Sequence, residues 1–336
     1  MPTWELLADL ALTIERVETE TLAVDVGRFV RKTTVVHLHG RGAEGAGEDV
    51  TYDAEEHDRF PQLELAGEWT LASLTAHLDG VDLFPAAAPS QDAYRHYRRW
   101  AVESAALDLA LRQAGTTLGE ALGREVAPVV FVVSTRAKLE EWRELYPGIR
   151  FKLDPTPDWT DEEFDRLDGW GNVDVLDLKG AYRGTSVDNP PDPELYARTA
   201  AAVPTAWIED PALTPETDEV LRRHRDRITW DAPIHSWADV EALPFPPRCL
   251  NCKPSRFGAL PALLEFYDRC AEHGIALYGG GQFELGPGRG QIQLLAALFH
   301  ADGPNDVAPS AYNEGGPRPG LPTSPLVLRP GPGYRA

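Results

Sequence analysis

Two textures of apolar and polar positions divide the chain. Within residues 20–60 the stretch VVHLHGRGAEGAGEDVTY alternates, breaks at a glycine-rich turn and resumes. That pattern predicts antiparallel strands. From about Asp92 to Gly123 the spacing is helical. In AVESAALDLALRQAG small and apolar residues recur every three or four positions, and the run stops at Gly115. Beyond Ala127 short apolar runs alternate with amphipathic stretches. The runs are VVFVVS (129–134), IRFKLD (149–154), VDVLDLK (173–179), TAWIED (205–210), RITWDA (227–232), RCLNCK (248–253) and GIALYGG (274–280). Repeated β-then-α units predict parallel strands with crossover helices, in a barrel or an open doubly wound sheet. Their density over about 180 residues favours the barrel. The tail from about Ser310, rich in glycine and proline, has no periodicity and is expected to wrap back over the first domain or stay partly loose.

The expected fold is therefore α/β: an α+β domain over 1–125, completed by the tail 311–336, and a TIM-type barrel over 126–310. A length of 336 residues suits a barrel of ~250 residues with an accessory domain. A net charge of −21 disfavours nucleic acid or an anionic membrane as partner, because both would repel this surface. No stretch approaches the ~20 apolar residues of a membrane span. The segment MPTWELLADLALTIERVETE lacks the basic leader of a signal peptide. Three cysteines, Cys249, Cys252 and Cys270, cannot form a disulfide framework, so a cytoplasmic location is expected.

Candidate chemistry gathers where strands end. The chain has 32 basic residues but only five lysines: Lys32, Lys138, Lys152, Lys179 and Lys253. Lysine, unlike arginine, can lose its proton near neutral pH, and three of the five fall at predicted strand ends. In a parallel barrel the active site lies at the C-terminal ends of the strands. Those ends carry Lys152 and Asp154, then Asp177 and Lys179, then Glu209, Asp231 and Lys253. One acid at a strand end is commonly a helix cap. Carboxylates ending three consecutive strands, flanked by lysines, build one pocket, and three carboxylates with waters suit Mg²⁺.

The pattern resembles the enolase superfamily, in its muconate-lactonizing-enzyme and o-succinylbenzoate-synthase branch. DLKGAY (177–182) is similar to the family's DANGAW element, WIEDP (207–211) to its I-E-[QND]-P, and LNCKPSRFGAL carries the strand-six lysine. FELGPGRG resembles the M-E-[ST]-G-I-G-R segment of the last strand. The spacings 231−209 and 253−231 are both 22, one repeat each. Upstream, GAEGAGED resembles the G-x-G-E turn of the family's capping domain. The resemblance implies a modified (β/α)7β barrel with a capping domain. It implies Mg²⁺ held by Asp177, Glu209 and Asp231, and abstraction of the α-proton of a carboxylate substrate by Lys253, with Lys152, Lys179 and Asp154 beside it. Gln282, Glu284 and Arg289 are candidate substrate contacts, and a symmetric homo-oligomer is common in the family. Substrate choice would come from cap loops around residues 40–52 and Arg28.

Three positions depart from the family. Its second strand usually reads K-x-K, where this chain has Lys152 and Asp154. Lys179 stands where asparagine is usual. Ala232 stands where a glutamate is usual, so Lys253 is expected to lack that common carboxylate neighbour. Because residues two apart on a strand share a face, Asp154 and Lys179 are expected to form an ion pair. Without a lysine at 154, one-base chemistry such as β-elimination or cycloisomerisation is favoured over a racemase or epimerase. A non-catalytic, metal-free barrel that binds a small molecule is the further alternative. CLNC (249–252) has no second ligand pair for zinc and reads as buried strand. The glycines of GGGQFELGPGRGQ lack the dinucleotide fingerprint. His37 and His39 alternate on one strand and read as a partly exposed sheet face.

Overall fold

The alternating stretch folds as an antiparallel sheet of β2 (Arg16–Asp25), β3 (Val30–Gly40) and β4 (Ala43–Asp49), beside the pair β1 (Ala11–Ile14) and β5 (Gly67–Thr70). This computed structural model describes residues 1–336 apart from Arg28, Arg136, Asp168, 184–186, Glu314 and Ala336, so Arg28 lies outside the described residues. Arg41 and Gly42 both have positive φ, 49° and 73°. That is the geometry that lets a two-residue turn follow the strand twist, and it closes β3 on β4 at the Gly40–Ala43 pair.

Gly45 and Gly47 explain the glycine-rich sequence of β4. Each faces the 22-residue helix Ala93–Ala114. A Cβ on Gly45 would lie 2.3 Å from the Ala105 carbonyl oxygen, and one on Gly47 2.1 Å from that of Ala101. The strand backbone rests directly on a small-residue face of the helix. Gly45→Ala is expected to cost about 1–3 kcal/mol, read as a lower midpoint in urea with an unchanged slope. The helix ends at Gly115 in the left-handed conformation, φ 68°, which glycine adopts without strain.

The other face of the small sheet carries His37 and His39, which meet Glu44 at 3.0 Å and Glu18 at 3.0 Å respectively. Inside the domain the fully buried Arg98 meets Asp49 at 2.9 Å and donates to the carbonyls of Leu83 and Glu56.

Beyond residue 125 the strands are parallel. They are β6 (Val133–Ser134), β7 (Phe151–Leu153), β8 (Val173–Asp177), β9 (Trp207–Glu209) and β10 (Ile228–Thr229), adjacent in that order, then the pair β11 (Cys249–Cys252) and β12 (Ala276–Gly279). The Asn251 amide donates to the Trp230 carbonyl, carrying the ladder from β10 to β11. Parallel bridges join Gly280 to Asp306 and Asn305 to Phe131. The buried Asn305 side chain donates to the carbonyls of Val130, His300 and Gly303. Most strands are shorter than the apolar runs predict. Within 129–134 the cause is visible: Val129 pairs antiparallel with Leu326 of the tail, and the Val130 amide donates to the Ala301 carbonyl. The tail also reaches the helix Ala93–Ala114, where Tyr334 stacks edge-on to Trp100 and its amide donates to Asp108.

The N-terminal domain is stitched to the loop after β12. Arg31 donates to the carbonyls of Val50 and Thr51 on its own domain and of Gln282 and Phe283 across the joint. Glu48 accepts the amides of Leu285, Gly286 and Gly288 at the start of the helix Gly288–Phe299, where free N–H groups favour an anion. Among the described residues no helix is long and apolar enough to cross a membrane.

Candidate active site

Successive strand ends deliver the charged groups. Lys152 lies on β7, Asp177 ends β8 and Glu209 ends β9, while Asp231 and Lys253 follow β10 and β11. Asp177, Glu209 and Asp231 are wholly buried, and Lys152 is 2% exposed. Parallel pairing sets Asp177 beside Glu209, so the two carboxylates stand side by side. Lys152 bridges them: its ammonium donates to Glu209 and lies 3.1 Å from Asp177. Burial works against that charge, but Glu209 and Asp177 outweigh it and hold the Lys152 pKa well above the ordinary lysine value.

Asp231 is gripped from three sides. Lys253 approaches at 2.8 Å, Arg256 at 2.7 Å, and the Tyr182 hydroxyl donates at 2.8 Å. Lys253 lacks the glutamate that Ala232 replaces, and Asp231 is its carboxylate neighbour instead. Burial lowers the Lys253 pKa. Asp231 pulls it up, but Arg256, Lys152 and Lys179 add to the lowering, and the net direction is down. Burial would raise Asp231, yet Arg256 and Lys253 carry it far below the usual carboxylate range. A lysine base works through its neutral amine, and a lowered pKa favours that form. Gly280 makes room for it, since a Cβ there would come within 2.8 Å of the Lys253 side chain.

Lys179 sits on the rim with φ 55°. Its amide donates to one Asp177 oxygen at 3.0 Å, and its ammonium donates to the other. The expected contact with Asp154 is present at 3.6 Å, but Asp177 is the closer partner. Burial alone would raise Asp177; Lys179 and Lys152 reverse this and hold it well below the carboxylate range.

Oxygens of Asp177, Glu209 and Asp210 all lie within 4.8 Å of one another, a hard-donor set able to take a cation. Asp210 enters this group where the sequence pointed to Asp231. Both Asp210 oxygens, however, already accept the amides of Asp231 and Ala232. Asp210 therefore anchors the end of β10. Burial, with Asp231 and Asp177, pushes its pKa up to about 7.

Gln282, Glu284 and Arg289 lie in and just after the loop that follows β12, where it meets the N-terminal domain. Gln282 donates to the Tyr97 hydroxyl, and Arg289 meets Glu284 at 3.0 Å. A cavity of about 1170 Å³ opens beside Asp154, bounded by Phe29, Val30 and Tyr52 of the N-terminal domain and by Thr156 and Asn189 of the strand-end loops.

Several partners of this site were not identified from the sequence. Tyr278 donates to Glu209, as does Asn251 at 3.4 Å. Asn251 precedes Lys253 by two positions at the end of β11, so strand alternation alone could have found it. Cys249 and Cys252 are buried on the same strand, without a disulfide.

The fold of these parallel strands is similar to that of solved members of the enolase superfamily. A dipeptide epimerase from Methylococcus capsulatus, solved with a Mg ion, matches with a TM-score of 0.64 and 21% identity over 88% of this chain and 89% of its own. An enolase-superfamily member from Listeria innocua matches with a TM-score of 0.62 and 18% identity over 89% and 86%. The chain belongs to the DUF8230 family: residues 5–121 match its N-terminal and residues 125–314 its C-terminal domain of unknown function. Among curated proteins, the o-succinylbenzoate synthase of Bacillus subtilis (strain 168) is 27% identical over 227 residues, 62% of this chain. That alignment spans 58% of the relative's own length.

Proposed function

We propose that this chain is a Mg²⁺-dependent lyase or isomerase that removes the α-proton of a carboxylate substrate, with Lys253 as base. The observation that carries the reading is Lys253 itself: a buried amine with a lowered pKa, 2.8 Å from Asp231, beside a pocket of buried acids. On this reading residues 126–310 form a closed (β/α)7β barrel. Residues 1–125 and the tail form its cap.

Asp177 and Glu209 offer carboxylate oxygens within 4.8 Å of each other, donors of the type that fits the metal. Asp177, Glu209 and Asp231 would hold it, all of them oxygen ligands of the kind Mg²⁺ prefers. Bound there, the ion would neutralise the charge that grows on the substrate carboxylate as the proton leaves. Lys253 would take that proton at Nζ. Lys152 stays protonated and adds a fixed positive charge where negative charge develops. Arg256 keeps Asp231 oriented and helps lower the Lys253 pKa. Phe29, Val30 and Tyr52 border the cavity beside Asp154 and would exclude water once substrate fills it.

Asp154 occupies the place of a second lysine, so only one face of the substrate meets a base, which favours β-elimination or cycloisomerisation. A racemase or epimerase is the alternative, and an epimerase is among the proteins of like fold. A metal-free binding protein is supported by the contact of Lys179 with Asp177.

The test is exchange of the α-proton in D₂O with Mg²⁺, followed by NMR on dipeptides and other N-acylated α-amino acids of both configurations. The one-base reading predicts deuterium uptake by one configuration only. Uptake by both supports racemisation, and uptake by none across the panel argues for the binding protein.

A further inference from the structure

We infer that Lys179 is an internal competitor for the metal site, a tethered cation that a divalent ion must displace from Asp177 towards Asp154. The inference rests on the proposed metal site and concerns how that site is filled.

Lys179 engages both oxygens of one carboxylate. The positive φ turns the chain back after β8, so the amide and the ammonium of one residue reach the two Asp177 oxygens together. Among the described residues the three buried acids Asp177, Glu209 and Asp231 already face four cations: Lys152, Lys179, Lys253 and Arg256. A divalent ion brings two more positive charges into a cluster where four cations already face these three acids, and in a buried site such repulsion is strong. One cation has to give way.

Three of the four are fixed. Lys152 is enclosed between Asp177 and Glu209, and its side chain is 2% exposed. Lys253 and Arg256 share Asp231, with side chains 10% and 5% exposed. Lys179 is 16% exposed and has a second acceptor, Asp154, at 3.6 Å. A turn of its flexible stem would exchange one carboxylate for the other without leaving the charge unpaired. Asp154 thus has a role beyond replacing a lysine: it receives Lys179 when Asp177 is needed.

Binding of Mn²⁺ to the full-length chain tests this without an assay of activity. Free Mn²⁺ would be counted by electron paramagnetic resonance during titration of wild type, Lys179→Asn, Lys179→Ala and Asp154→Asn, each checked for folding by circular dichroism. Both Lys179 variants are expected to bind Mn²⁺ at least about tenfold more tightly than wild type. Asp154→Asn is expected to bind it more weakly, because Lys179 then has no second acceptor to move to. Equal affinity in wild type and the Lys179 variants overturns the competition while leaving the metal site standing. Equal affinity in Asp154→Asn and wild type overturns the transfer to Asp154. No binding by any variant removes both the competition and the metal site.

Discussion

Lys253→Ala is expected to slow α-proton exchange by about 10²–10⁴-fold, the range for loss of a positioned general base, with the fold intact. The fold survives because Asp231 keeps Arg256 at 2.7 Å and the Tyr182 hydroxyl at 2.8 Å after the lysine is gone. No buried charge is stranded. The wild-type pH profile carries a second signature. Lys253 works only when neutral, so the rate falls as pH drops through its pKa. Burial and neighbouring cations set that pKa below the usual 10.5. The rate should therefore reach its plateau at a lower pH than an exposed lysine would allow, and the limb should vanish in the variant. Exchange rates that match wild type would remove Lys253 from the mechanism.

Asp231→Asn should do the opposite: damage the fold as well as the chemistry. It leaves Lys253 and Arg256 facing a neutral amide inside the protein. Breaking a buried pair by removing one partner typically costs about 3–5 kcal/mol, because the remaining charge is uncompensated. Here two cations lose the same partner, and only Lys253 can relieve the strain by losing its proton. Urea denaturation would read the loss directly. Adding Lys253→Met to Asp231→Asn should restore part of it, since the double variant strands one cation fewer. Additive losses in that cycle would show that the pair is not coupled.

Much of this site was legible before any coordinates. The spacing of 22 between Glu209, Asp231 and Lys253 reflects one strand-helix repeat, and each repeat returns the chain to the same end of the sheet. The acids had to meet for that reason. The Asp154–Lys179 contact followed from side-chain alternation on neighbouring strands. The closer grip of Lys179 on Asp177 did not follow, because it depends on a positive φ at a lysine that no periodicity encodes. Arg256 was missed for a similar reason. It sits in a single turn after β11, where neither strand nor helix spacing fixes its direction, yet it donates to both the backbone and the carboxylate of Asp231. The short strands were also unreadable. Apolar runs report burial, and burial near the tail and at 301–306 is met by irregular backbone as well as by a ladder. The glycines of β4 were read as a turn, although Gly45 and Gly47 serve helix contact within the strand.

Diffraction from crystals soaked in Mn²⁺ together with a carboxylate that exchanges its α-proton addresses the central claim most directly. The account predicts one anomalous peak at about 2.0–2.2 Å from oxygens of Asp177, Glu209 and Asp231, close to the distances hard octahedral cations adopt, with Lys179 moved to Asp154 and Lys253 facing the α-carbon. A map with no peak there, and with the Lys179 ammonium still seated on Asp177, would contradict it.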